Sequence, residues 1–285
     1  MSGVVEPRVA VPIPLMAKRA AVFAGIVAFG WTAGRRLDSQ PPDWLVERAQ
    51  SLLVSVKQLP ATLLDTWLQL LPPNLRDVPF LNLEALRALA LSDGIPVAYV
   101  APPELFGDLL GADSRDERLE LLRTNQQKIV DYCRTVLVDL DSSPLVAEAQ
   151  EAVRTFDAGF VASAQSHVAN IVDSALPRIW GKEPNPQGTW VPRREATRIG
   201  ETEPSGKGLF LHFAESLVAA PIPSAYRRHF PGDPVPSGFS RHASAHSLGV
   251  EGLVSDLNCL VGLMLATSLV CYDASPLSER SRRSL

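Results

Sequence analysis

Residues 114–140, Ser-Arg-Asp-Glu-Arg-Leu-Glu-Leu-Leu-Arg-Thr-Asn-Gln-Gln-Lys-Ile-Val-Asp-Tyr-Cys-Arg-Thr-Val-Leu-Val-Asp-Leu, decide the fold class. Ser114 with Glu117 three positions later is a capping-box pattern, and Leu119, Leu122, Ile129, Cys133, Val136 and Leu140 recur at three- and four-residue steps. The stretch predicts one amphipathic helix to about Leu140. Immediately beyond, Ser143 is a candidate N-cap and Pro144 suits the first helical position, where a missing N–H costs nothing. Val146, Ala149, Val153, Phe156, Phe160, Ala164, His167, Ile171 and Ala175 then share one face. The short connection predicts an antiparallel helical hairpin.

Working outward, Asp43 to Leu71 reads as helical with a kink at Pro60 and an end at Pro72-Pro73. Leu83 to Leu91 is a short helix stopped by Gly94, and Ile95 to Val100 is the best strand candidate. Pro177 to Gly208, rich in Pro and Gly, interrupts the pattern as a linker or excursion. Leu209 to Ala220 and Leu253 to Tyr272 resume it. The expectation is a mainly α protein, a helical bundle with a Pro/Gly-rich excursion and at most a minor strand. Its organisation reads as an apolar N-terminal segment (1–42), a helical domain (43–176), the linker (177–208), a C-terminal helical segment (209–275) and a polar tail (276–285), expected to be disordered.

Composition narrows the function classes. An apolar fraction of 46% in 285 residues marks a globular chain able to bury a core, and a net charge of −4 offers no global basic field for nucleic acid. Any RNA contact is therefore local. Cys133, Cys259 and Cys271 are odd in number and sit on expected apolar helix faces, which points to a reducing cytoplasm rather than a disulfide framework. Ala20 to Gly34 is apolar apart from Thr32 and flanked by Lys18-Arg19 and Arg35-Arg36. Its fifteen residues span about 22 Å as a helix, short of the ~30 Å hydrocarbon core, so a packed helix or a peripheral membrane anchor is expected ahead of a span.

The stretch richest in chemistry is Arg241-His242-Ala243-Ser244-Ala245-His246, which follows a Pro- and Gly-rich loop and precedes the long apolar run. It sets a permanent cation beside two imidazoles, the equipment of a phosphodiester-cleaving site. Here the chain resembles the HEPN superfamily, over about its last quarter. In that superfamily an Arg, four to six spacers and a His, with a polar residue after the Arg, carry metal-independent ribonuclease activity. Arg241 matches the Arg, His242 the polar position and His246 the terminal His. Asp93 to Gly111 also resembles a segment of uncharacterised actinobacterial proteins with a similar C-terminal end. The HEPN resemblance implies an endoribonuclease that leaves 2′,3′-cyclic phosphate and 5′-hydroxyl ends. It also implies a toxin or antiviral abortive-infection role, a homodimer, and an antitoxin or regulatory partner. His246 is then the general base or acid, Arg241 the phosphate clamp and His242 a secondary proton carrier or phosphate ligand. No cofactor or metal is expected.

Other readings stay open. His242 and His246 at i, i+4 share a helical face, as metal ligands do, but Ala243 stands where a His-Glu-x-x-His site needs Glu. The stretch also reads as a polar cap on the last helix, in a non-catalytic helical interaction protein held at a membrane by Ala20 to Gly34. Gly200 to Gly208 fails as a phosphate loop, with the wrong spacing before Gly206-Lys207 and Gly208 in place of Ser or Thr. His167 and His212 read as satisfied core residues.

Overall fold

The computed structural model describes residues 69–78, 80–181, 196–197, 199, 209–227, 229, 233–246 and 252–278. The apolar segment Ala20 to Gly34, the helical stretch from Asp43, the Gly200 to Gly208 stretch and most of the tail lie outside the described residues. The chain divides into two compact units, residues 1–60 with 78–83 and residues 61–77 with 84–285. Nearly every described residue belongs to the second.

Among the described residues there are ten α-helices and no strand: α1 (Phe80–Asp93), α2 (Leu105–Gly111), α3 (Arg115–Thr124), α4 (Gln126–Val138), α5 (Pro144–Asp157), α6 (Val161–Trp180), α7 (Leu209–Ala219), α8 (Ile222–Ala225), α9 (Arg241–His246) and α10 (Asp256–Asp273). The chain is mainly α, as the periodicity predicts. Every residue from Asn258 to Tyr272 is buried, because α6, α5, α4, α3 and α7 all pack on α10. A helix apolar on all sides needs such cover. By length and hydropathy α10 could cross a membrane, yet its apolar surface is spent inside the bundle.

Both expected caps form. The Glu117 amide donates to Ser114 Oγ (3.2 Å) and the Val146 amide to Ser143 Oγ (3.3 Å), with Pro144 opening α5. The return arm of the box is displaced by one residue, since Glu117 Oε2 accepts from the Asp113 amide. The hairpin is antiparallel: Gln150 Nε2 donates to Leu137 O near the turn, while Asp157 meets Arg134 and Gln127 at the far end.

Each long periodic run is broken once. Asn125 (φ −104°, ψ 18°) separates α3 from α4, its side chain donating to Leu121 O while Thr124 Oγ1 donates to Glu120 O. These short side chains compete with the helix for its own carbonyls. Gly159, at φ +84°, ends α5 by taking the left-handed conformation that a side chain resists. Phe160, placed on the apolar face by its spacing, is consequently 65% exposed. Pro177 does not end its helix. It lies inside α6, which continues to Trp180 because Leu176, Ile179 and Trp180 are buried. Trp180 stacks on Tyr272 of α10 (centroids 6.1 Å apart) and donates to Glu215 Oε1 of α7 at 2.7 Å.

The strand expected at Ile95 to Val100 is absent. Ile95, Val97, Ala98, Val100 and Ala101 are buried, but the segment is irregular, with Tyr99 at φ +68°. Asn74 takes the place of a sheet neighbour: its Nδ2 donates to Val97 O (2.8 Å) and Ala101 O (2.9 Å), and its Oδ1 accepts from the Tyr99 amide (2.9 Å). One buried amide thus satisfies three main-chain groups that a ladder would otherwise pair.

The three cysteines are buried thiols. Burial pushes Cys133 and Cys259 up to about 12 from the ordinary 9.0, and burial together with neighbouring Cys133 raises Cys271. The unfolded chain releases these protons first, so stability is complete below pH 9 and falls as pH climbs toward 12. The expected loss is up to about 1.4 kcal/mol per pH unit for each thiol. Urea midpoints measured on either side of the thiol range check it, and midpoints that do not move would contradict it.

Candidate functional site

The motif stretch is α9 in full. Ser240 caps it, its Oγ accepting from the Ala243 amide (3.2 Å) and its carbonyl from Ser244 (2.9 Å), so Arg241 occupies the first helical position. Just before it, buried Phe239 packs its ring against Gly262 of α10; a Cβ there would come within 2.6 Å of the ring. That close approach fixes where the motif helix begins.

Two polar contacts dock α9 on α6. Gln165 Nε2 donates to Ser244 Oγ (2.9 Å) and to Leu253 O (3.0 Å), tying the far end of α9 and the entry to α10 to one side chain. Arg241 donates through Nε (2.6 Å) and Nη2 to Asp173 Oδ2, and Tyr226 Oη donates to Asp173 Oδ1. Side-chain exposures of 26% for Arg241 and 19% for Asp173 place the pair at the bundle edge, where solvent screens it only in part. Arg241→Ala, which strips Asp173 of a charge-assisted partner, is expected to cost about 2 kcal/mol in denaturant unfolding. A loss below about 0.5 kcal/mol would show that the pair does not hold the helix.

His242 is half-buried beside Arg241. The backbone of His246 closes the helix, and its side chain lies outside the described residues. Because all six residues are helical, Arg241 and His246 are about 140° apart around the axis, whereas His242 and His246 share a face. The motif begins at the helix entry and does not straddle it, so the helix itself does not relieve that divergence. Among the described residues, no three His, Cys, Asp or Glu side chains converge as metal ligands would.

His167, read as a core residue, is a quarter exposed, with Nε2 at 2.6 Å from Glu148 Oε2. The side chain of His212, on α7, lies outside the described residues. Sequence reasoning missed Asp173, Tyr226 and Gln165. Asp173 carried a signal: it is the sole acid in the twenty residues of α6. Tyr226 carried none.

In front of α9 opens a cleft of about 460 Å³, lined by Arg115, Arg227, His229, Asp233 and the 234–240 loop up to Ser240. In comparisons with known proteins, no family model, no curated protein and no solved structure matches the chain.

Proposed function

We propose that this chain is a cytoplasmic, metal-independent endoribonuclease of the HEPN type, acting as a homodimer in a toxin or antiviral abortive-infection role and restrained by an antitoxin or regulatory partner. The observation that carries the reading is the capped helix Arg241–His246, whose first residue is a guanidinium set in direction by Asp173 and Tyr226. A clamp for a developing phosphorane charge works best when its orientation precedes substrate binding. Arg241 then faces the scissile phosphodiester with a planar fork that Lys lacks. His246 takes the proton of the 2′-hydroxyl, or returns one to the leaving 5′-oxygen, at a pH where imidazole serves both roles. His242 is the secondary proton carrier or phosphate ligand. The 140° between Arg241 and His246 gives the homodimer its purpose, since a second copy can bring the complementary pair alongside.

One observation favours a second reading. The Arg241–Asp173 pair accounts for Arg241 without any ligand. On that basis the motif is structural and the chain is a non-catalytic helical interaction protein, with Ala20 to Gly34 available to hold it at a membrane. Induced expression separates the two. The ribonuclease slows host growth and His246→Ala relieves it, whereas an interaction protein is tolerated in both forms.

A further inference from the structure

The cleft before α9 concentrates positive charge in a chain whose net charge is −4. Arg115 is fixed there by three neutral oxygens, Asp93 O (3.2 Å), Ser237 Oγ (2.9 Å) and Ser237 O (3.0 Å). Its geometry is locked while its charge is not cancelled by an ion pair among the described residues. The nearby Asp93 carboxylate is already held by Arg118 at 2.6 Å. Arg227 is exposed and has no ion-pair or hydrogen-bond partner for its side chain among the described residues. Buried His229 adds an imidazole to the same wall, and Ser224 and Ser237 contribute hydroxyls, while the Ser92 hydroxyl is taken by Asp93; among the described lining residues Asp233 is the one carboxylate. Two guanidinium groups, an imidazole and hydroxyls suit a phosphate group, and the volume of the cleft leaves room for the nucleotide that carries it. Cations without an ion pair among the described residues, gathered on a concave surface, focus an attractive field there.

We infer that this cleft binds a backbone phosphate of single-stranded RNA, next to the phosphate that is cleaved. The inference rests on the ribonuclease reading and adds to it the surface that grips the strand. Ser240 belongs both to the cleft wall and to the cap of α9, so a strand lying in the cleft leads directly to the motif helix.

The test measures anisotropy of a short fluorescein-labelled single-stranded RNA with the full chain, carried in a His246→Ala background so that the probe survives. Arg227→Glu is the principal variant, since that side chain makes no bond among the described residues and its loss leaves the fold intact, as a thermal melt verifies. His229→Ala is the second. Binding weakened about tenfold by Arg227→Glu, with the salt dependence reduced by about one counterion, is the expected result. Unchanged binding in both variants overturns the cleft while leaving the ribonuclease reading to its own cleavage assay. Stabilisation by inorganic phosphate that Arg227→Glu abolishes, without any RNA binding, shows a small-anion site and overturns the RNA assignment. Absence of both RNA binding and wild-type cleavage overturns the two readings together.

Discussion

Replacing His246 by Ala is expected to lower the proposed RNA cleavage by about 10²- to 10⁴-fold, the range for removing a general acid or base, with an unfolding midpoint near that of the wild type. Arg241→Ala behaves differently. It is expected to lose cleavage about 10²- to 10³-fold, as a lost electrostatic clamp would, and also to be less stable because Asp173 loses its cationic partner. The contrast matters, since a purely structural motif gives stability loss at Arg241 and no kinetic signature at His246. Initial rates on a defined RNA, paired with urea midpoints for each variant, read both quantities. A His246→Ala protein that cleaves as well as the wild type would remove His246 from the mechanism.

Asn74→Ala is expected to be strongly destabilising. It removes both amide donors from Val97 and Ala101 and the acceptor from Tyr99, in a segment closed to solvent. Each orphaned main-chain group costs about 1–3 kcal/mol, so three together cost about 3–9 kcal/mol, a large part of the 5–15 kcal/mol that holds a typical domain. Asn74→Asp is a partial rescue at most, since it keeps the acceptor and loses both donors. Urea denaturation measures the effect, and a cost under about 1 kcal/mol would mean that water replaces the amide.

Local signals were legible where one residue governs one bond. Ser114, Ser143 and Pro144 announced two helix starts, and the three- and four-residue steps on either side announced the hairpin. The breaks at Asn125 and Gly159 were not legible from periodicity, because apolar spacing continues across both while the backbone does not. Pro177 misled in the other direction. A proline removes one helical hydrogen bond, and burial of Leu176, Ile179 and Trp180 outweighs it. Ile95 to Ala101 has the composition of a strand, but a strand is defined by its neighbour, and the neighbour here is one side chain from residue 74. At the site, Arg241, His242 and His246 stood out as a motif. Their helical phase follows from the Ser240 cap and the Phe239–Gly262 contact. Asp173 sits 68 positions from Arg241, and chain distance hides such pairs from any reading of spacing.

Metal-independent cleavage at the α9 motif is open to a direct assay. Purified wild-type, Arg241→Ala and His246→Ala proteins, incubated with total RNA in excess chelator and followed by mapping of fragment ends, test it most directly. Cutting by the wild type alone is expected, with 2′,3′-cyclic phosphate and 5′-hydroxyl termini. Intact RNA in all three reactions, or equal cutting by all three, would contradict it.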